Sequence, residues 1–413
     1  MFKTKDSLTG VFVFLLLGFS INFFSPKALN GGLFSPIRYA GVFLAIAVSI
    51  PYMLRATEAN RGLGIPIKWI FAAQLLSTTG AFFSWGQGFA NSLQPLIFFA
   101  QWPVFFYLIQ RDYPVEKLGN IVLIFGLAYF LCYAYQYMHS DTVIFGAEEE
   151  FREERGVTRI NFPGGGVLFF SAFLALNRAT DGERRYRLVY AGYALAALVV
   201  TVMQVTRQNI AVVLLIYTWH LLRRAKPVWK IGLMVAAVAA VVIVLNTDNP
   251  IVKGLEEQQS STMAQGENYI RVLSGTYFLT EFSPDLFARV VGNGPPYLTA
   301  TSSSRLGEKA AQLKEMEGYY LSDVGIIGAY AMFGVLAIVG YAVLFVKGLR
   351  TPVPDEFVYL KYYIWFVILT SFTSDSIFSP NYLMTTIFAC YGLQVCYLNS
   401  RYTYGLRDHS DQL

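Results

Sequence analysis

The chain has 413 residues, of which 55% are hydrophobic and 14% charged, with a formal net charge of +5. Soluble domains carry about 25% charged residues, so this composition excludes an ordinary soluble protein. The apolar residues form long continuous blocks, as at 11–24, 121–135 and 231–245. Such blocks suit membrane-crossing helices of about 20 residues and are too continuous for barrel strands. The sequence therefore predicts an all-α, polytopic helical membrane protein.

The apolar blocks predict about twelve membrane-crossing helices, and because the sixth and eighth are short, about eleven is the alternative count. The first block follows Lys3 and Lys5 and lacks a small-residue cleavage site, which indicates a retained helix rather than a signal peptide. The predicted spans are 8–24, 38–54, 67–85, 93–110, 118–138, 163–177, 188–205, 209–222, 230–246, 320–346, 358–375 and 381–398.

Basic residues concentrate in alternate short connections, which predicts that these connections and both termini face the cytoplasm. Those residues are Arg55, Arg61, Arg111, Lys117, Arg178, Arg184, Arg185, Arg187, Arg223, Arg224, Lys226, Lys347, Arg350, Arg401 and Arg407.

This orientation divides the chain into membrane and outward parts. A segment as long as 247–319 exceeds an ordinary connection, so short helices on the outer membrane face are expected there. The predicted parts are 1–138 with helices one to five, the outward loop 139–162, 163–246 with helices six to nine, the large outward loop 247–319, 320–398 with the last three helices, and the cytoplasmic tail 399–413.

Arg207 lies among apolar residues in "VMQVTRQNIAVVLL", residues 202–215. Arginine stays ionised and costs at least ~2.5–3.5 kcal/mol at the centre of a bilayer. The predicted topology places it instead at the outer mouth of the turn between the seventh and eighth spans. Guanidinium groups bind phosphate oxygens bidentately, which suggests a phosphate or pyrophosphate site. An interfacial anchor that reaches lipid headgroups is the alternative. Further arginines in the predicted outward loops are Arg152, Arg155, Arg159, Arg271 and Arg289.

Three motifs in a fixed order resemble the O-antigen ligase and polysaccharide-repeat polymerase superfamily of bacterial membrane glycosyltransferases. They are "VTRQNIAVVLL" at 205–215, "VVGNGPPY" at 290–297 and "SDVGIIGAYAMFGVLAIVGY" at 322–341. The resemblance covers roughly residues 150–346, whereas the first five helices match only in hydropathy. It implies a GT-C-like fold in the bacterial cytoplasmic (inner) membrane, with an active site that faces the periplasm and uses no metal or cofactor.

The implied chemistry is glycosyl transfer between lipid-linked glycans. A sugar hydroxyl attacks the anomeric carbon of the donor, and undecaprenyl pyrophosphate leaves. Fixed cations would stabilise the charge that develops on this leaving group. The resemblance assigns that role to Arg207 and Arg271, with Arg159 as a third candidate. Arg289 is a weaker candidate because it could instead pair with Asp285, one helical turn away.

A carboxylate could serve as the base for the acceptor hydroxyl. Glu317 and Asp323 flank "GYYLS" at the predicted outer end of the tenth span, although Asp323 could instead cap the following helix. Tyr297, Tyr319 and Tyr320 could stack on sugar rings, with an interfacial aromatic belt as the alternative.

The stretch before "GIIG" departs from the ligases of this superfamily, which usually carry a histidine there. The stretch "AQLKEMEGYYLSDVGIIG" has none, so a polymerase is predicted, with a ligase-type transferase as the alternative. A transporter is a further alternative. Transporters commonly place ionisable residues in mid-span, whereas the interiors of the spans predicted here contain almost none. The expected partners are lipid-linked donor and acceptor glycans, a chain-length regulator and a flippase, and no nucleic acid.

Overall fold

The structure is a computed structural model. It describes residues 2–29, 33–55, 62–147, 152–154, 157–181, 184–224, 269–299 and 302–410. The predicted ninth span at 230–246 and the candidate Arg155 lie outside these residues. The described chain is helical apart from one antiparallel hairpin, in which β1 (Arg152–Glu154) pairs with β2 (Val157–Arg159) and Arg152 lies opposite Arg159.

The described part contains fifteen α-helices, joined by short 3-10 turns. They are α1 (Phe2–Ser20), α2 (Phe34–Leu54), α3 (Gly64–Trp85), α4 (Phe89–Leu96), α5 (Val104–Arg111), α6 (Val115–Met138), α7 (Gly165–Asp181), α8 (Arg187–Met203), α9 (Arg207–Arg224), α10 (Ile270–Thr280), α11 (Leu286–Val291), α12 (Arg305–Gln312), α13 (Ile326–Arg350), α14 (Val358–Thr370) and α15 (Pro380–Ser410).

Three of the described helices, α2, α6 and α13, are long and apolar enough to cross a membrane. The stretch Ser7–Ser20 of α1 and the helix α8 are apolar but shorter. The helical class of the protein and the presence of membrane-length helices are therefore confirmed.

The predicted fourth span, 93–110, differs from the structure. Two eight-residue helices, α4 and α5, replace it and are separated by residues 97–103. Pro103 is the N-cap of α5, and a proline both lacks an N–H donor and disfavours helical backbone in the residue before it. The break is buried and held by Gln101, whose Oε1 accepts a 2.5 Å hydrogen bond from Ser20 Oγ.

Two ends of the helical bundle can be distinguished. At the first, called the basic end, the predicted cytoplasmic connections meet. Arg223 there forms a 2.6 Å ion pair with Asp355, and Lys347 Nζ donates a 3.0 Å hydrogen bond to the Gly62 carbonyl. The opposite end, called the loop end, carries the described parts of 139–162 and 269–320. The loop end therefore holds the predicted outward segments.

The core is built around α7, which packs against α6, α8, α14 and α15. Most of its side chains are buried, and Phe169 and Phe173 contact the ring of Phe366 on α14. A second close pair, α3 and α13, carries the helices of the large loop, because α11 packs against both. The large loop is thus attached to the bundle through α3 and α13.

Residues 292–295, called the wedge, insert between α3 and α13. The Asn293 N–H donates a 3.0 Å hydrogen bond to the Ala331 carbonyl, and the Gly294 N–H donates a 2.8 Å hydrogen bond to the Met332 carbonyl. These carbonyls are available because α13 is interrupted at Gly334, which has φ 73° and ψ −175°. The wedge therefore satisfies backbone groups that the break in α13 leaves open.

Glycine is required where α3, α13 and the wedge meet. Gly292 adopts φ 95°, and a Cβ there would lie 2.4 Å from the Met332 carbonyl oxygen. A Cβ on Gly80 of α3 would lie 1.9 Å from the Gly292 carbonyl oxygen. Neither obstacle is a flexible side chain, so an added methyl group would push backbone apart.

We expect Gly80→Ala to destabilise the protein strongly, by roughly 2–4 kcal/mol, because overpacking against backbone forces a shift of α3 or the wedge. Gly192→Ala on α8 is the matched control, since a Cβ there meets nothing within 4 Å. Thermal unfolding in detergent checks both variants. Equal midpoints for Gly80→Ala and Gly192→Ala would contradict the described packing of the wedge.

The predicted orientation can be tested at the two ends with single cysteines in a cysteine-free background. Thr299→Cys, in the large loop, should react with a membrane-impermeant thiol reagent in intact cells. Pro352→Cys, in the exposed turn between α13 and α14, should react only after permeabilisation. The reverse pattern would place the basic end outside and overturn the orientation.

Candidate functional site

Arg207 is the first residue of α9 and is half-buried at the loop end. The turn before it contains Val205 with φ 55°, a left-handed conformation that is strained for a β-branched residue. The side chain of Gln204 fixes this turn, because its Nε2 donates a 2.7 Å hydrogen bond to the Tyr129 hydroxyl on α6. Free N–H groups at a helix N-terminus attract anions, and strained backbone is concentrated at functional sites. The position therefore favours an anionic ligand.

Gln208, the next residue, ties the start of α9 to residues 369–377, called the bridge segment. Its Nε2 donates a 2.8 Å hydrogen bond to the Leu369 carbonyl, and its Oε1 accepts one from Thr373 Oγ1. Asn209 is hydrogen-bonded to the hydroxyl of Tyr382 on α15. The N-terminus of α9 is thus fixed against the ends of α14 and α15.

Arg159 lies at the end of β2 and is half-buried. Three residues later, the ring of Phe162 packs against Tyr129 with 4.4 Å between centroids. Tyr129 is the same side chain that holds Gln204. The segments of Arg159 and Arg207 therefore share one aromatic support on α6.

Arg271 lies in the first turn of α10, which packs against α13 and against the 3-10 turn Leu321–Val324. A Cβ on Gly318 would lie 3.1 Å from Ile270 Cδ1, and the rings of Tyr277 and Tyr319 have centroids 5.8 Å apart. The half-buried Arg271 side chain has no hydrogen bond or ion pair to another described residue. The structure therefore brings the helix of Arg271 together with the 3-10 turn that carries Asp323 and with Gly318 and Tyr319, which follow Glu317.

The bridge segment connects the surroundings of Arg207 with the surroundings of Arg271 and Asp323. The Ile326 N–H, at the start of α13, donates a 2.8 Å hydrogen bond to the Ser371 carbonyl. The 3-10 turn Asp375–Ile377 contacts the 3-10 turn Leu321–Val324. Residues next to Arg207 and residues next to Asp323 thus bind the same short segment.

Asp323 is half-buried within its 3-10 turn, and the N-cap of α13 is Gly325. The N-cap position of α13 is therefore Gly325, two residues after Asp323. Glu317 ends a π-helical turn after α12 and is exposed. Of the two predicted carboxylates, Asp323 is the more enclosed.

Arg289 is exposed and separate from this group. Its Nη2 donates a 2.5 Å hydrogen bond to the carbonyl of Thr280, the last residue of α10. Asp285 caps α11 by accepting a 2.8 Å hydrogen bond from the Ala288 N–H, and this bond lowers the pKa of its carboxyl group. The structure gives Arg289 and Asp285 these roles at helix ends rather than the ion pair considered from the sequence.

The candidate tyrosines lie at different places around the loop. Tyr297 follows the wedge. Its backbone is fixed to the start of α12, because its carbonyl accepts a 3.1 Å hydrogen bond from the Ser304 N–H. Tyr319 contacts α10 as described above, and the ammonium of Lys314 lies 5.7 Å from the ring centroid of Tyr320. Only Tyr319 and Tyr320 therefore belong to the group around Asp323.

Sequence reasoning missed Asp375, a half-buried carboxylate in the bridge segment. The Asp375 carboxylate interacts electrostatically with the hydroxyl of Tyr382, to which Asn209 is hydrogen-bonded. The available signal was a single carboxylate within the polar run "TSFTSDS" between two apolar blocks.

Buried amide side chains that the sequence did not single out hold the loops. Asn293, which is 0% exposed, accepts a 2.7 Å hydrogen bond from Trp85 Nε1 and donates one of 2.8 Å to Ser283 Oγ. Gln87 accepts a 2.6 Å hydrogen bond from Ser304 Oγ. Gln136 accepts hydrogen bonds from the backbone N–H groups of residues 144 and 145. These loops are thus held in part by buried side chains that carry no charge.

Within the described ranges, no group of three or more histidine, cysteine, aspartate or glutamate side chains could hold a metal ion. A scan against protein-family models finds no match, and a search of curated protein sequences finds no significant match either.

Proposed function

We propose that the protein is a metal-independent glycosyltransferase that polymerises undecaprenyl-pyrophosphate-linked oligosaccharide repeat units at the outer face of the bacterial cytoplasmic membrane. The product would be an O-antigen, capsule or exopolysaccharide. One observation carries the proposal. Arg207 at the N-terminus of α9 and the elements around Arg271 border the same bridge segment at the loop end.

The leaving pyrophosphate is the group that this arrangement suits. The acceptor oxygen forms a bond to the anomeric carbon, and the bond from that carbon to the pyrophosphate oxygen breaks with its electron pair. Charge grows on the departing oxygen, so fixed guanidinium groups stabilise the transition state more than the ground state. The N-terminal N–H groups of α9 add to this field.

The proton of the acceptor hydroxyl passes to a carboxylate in this scheme. Asp323 and Asp375 lie on two 3-10 turns in contact with each other, and both are half-buried. Glu317 is exposed and less suited to a site from which water is excluded. We therefore assign the role of base to one of these two carboxylates, Asp323 or Asp375.

The apolar surface of α10 supports a lipid-anchored substrate. Ile270 is 44% exposed and Val272 is 49% exposed, on either side of Arg271 in the chain. A helix with exposed apolar residues and a cation suits the membrane interface, where a lipid tail and its pyrophosphate meet. Arg271 would thus contact the pyrophosphate while its neighbours contact hydrocarbon.

The proposed enzyme would cross the membrane about twelve times in a GT-C-like arrangement. Among the described helices, α2, α6 and α13 are long and apolar enough to cross it. A flippase would supply the lipid-linked units, and a chain-length regulator would act on the growing polymer.

We expect Arg207→Ala to lower polymerisation about 100-fold, the usual cost of removing one group that stabilises developing charge. Arg207→Lys should also lose most activity, because lysine keeps the charge but not the bidentate geometry. Arg271→Ala should act in the same direction, and the double variant should cost less than the sum. The measurement is the ladder of lipid-linked glycans made by purified protein, normalised to protein amount.

Arg305→Ala is the matched control, since Arg305 is exposed at the start of α12. A full ladder from Arg207→Ala would reduce Arg207 to an interfacial anchor. Single additions to a separate acceptor, with no ladder from the wild type, would indicate a ligase instead.

A further inference from the structure

An apolar groove of about 580 Å³ lies between α2, α3 and the α4 region. Its lining residues recur at helical spacing, as with Ile46, Ile50 and Met53 on α2 and Phe71 and Leu75 on α3. One face of each helix therefore forms the groove, and hydrocarbon is the chemistry that fits it.

Among the described residues that line the groove, Lys68 is the one with a charged side chain. It lies one helical turn from the start of α3, and α3 begins at the basic end of the bundle. The charge of Lys68 is therefore at the end of the groove nearest the basic end. Its ammonium lies 5.5 Å from the ring centroid of Phe106, and among the described residues it has no carboxylate partner within ion-pair distance. A cation beside hydrocarbon without a carboxylate favours an anionic amphiphile.

Neighbouring cations at the same end reinforce this preference. Arg111 lies 5.3 Å from the ring centroid of Tyr107, one residue after Phe106, and Arg55 lies 5.3 Å from that of Tyr52. The rings of Tyr52 and Tyr107 are 5.8 Å apart, so the cations share one aromatic cluster. A phosphate beside Lys68 would therefore lie at the same end of the bundle as the guanidinium groups of Arg55 and Arg111.

The length of the groove matches one leaflet of a bilayer. From Phe43 to Leu54, α2 rises about 16 Å, and from Lys68 to Leu75, α3 rises about 10 Å. Half of the hydrocarbon core of a bilayer is about 15 Å. An acyl chain that starts at the basic end would therefore fill the groove and end near the middle of the membrane.

We propose that this groove binds an anionic glycerophospholipid, with one acyl chain between α2, α3 and α4 and the phosphate beside Lys68. The site lies toward the opposite end from Arg207 and is independent of the glycosyl transfer proposed above. It would hold a resident lipid of the leaflet at the basic end.

The test uses the full-length protein, purified and delipidated in detergent, with lipid binding measured by native mass spectrometry. Dioleoyl phosphatidylglycerol should bind several-fold more tightly than dioleoyl phosphatidylcholine. Lys68→Met should weaken phosphatidylglycerol binding roughly fivefold, equivalent to about 1 kcal/mol, and leave phosphatidylcholine binding unchanged. Lys68→Arg should keep the preference. Ala72→Trp, which fills the groove, should weaken binding of both lipids.

Lys361→Met is the matched control, a lysine near the basic end on α14 and outside the groove lining. An unchanged lipid preference in Lys68→Met, or an equal loss in Lys361→Met, would overturn the site. Glycerol phosphate alone is the probe for the headgroup. If it competed as well as the intact lipid, the acyl chain would have no role and the proposal would fail.

Discussion

The contact between the wedge and the interrupted turn of α13 is the constraint on which the loop end depends. Backbone N–H groups of residues 293 and 294 bind carbonyls of residues 331 and 332, which an unbroken helix would use internally. The contact is possible only because Gly80, Gly292 and Gly334 leave no Cβ in the way. It holds α11 against α3 and α13, and the adjoining α10 packs on the same α13.

Several of the buried hydrogen bonds at the loop end come from neutral amide side chains. Asn293, Gln87 and Gln136 satisfy backbone and side-chain groups that would otherwise be buried without partners. These amides add no charge of their own to the surface where Arg207 and Arg271 lie. The proposed lipid groove lies at the basic end, beside Lys68.

Hydropathy predicted the parts of the fold that depend on local composition. The spans at 38–54 and 118–138 agree closely with α2 and α6. The sequence predicts Arg207 in the turn between two spans, and the structure makes it the first residue of α9. The break between α4 and α5 was missed because an averaged apolar block hides the effect of Pro103. The role of "GNG" was also missed, since its partners, Gly80 and Gly334, are distant in sequence. Asp375 resembled an ordinary connector residue, and only the tertiary contacts of the bridge segment reveal its position.

The central claim is that a lipid-linked pyrophosphate binds at the loop end between the start of α9 and α10. Photo-crosslinking tests it most directly, with an undecaprenyl-type oligosaccharide probe that carries a photoreactive group near its pyrophosphate. Adducts mapped by peptide mass spectrometry should fall within residues 204–209 and 269–277. Adducts confined to the basic end or to the groove between α2 and α3 would contradict the account.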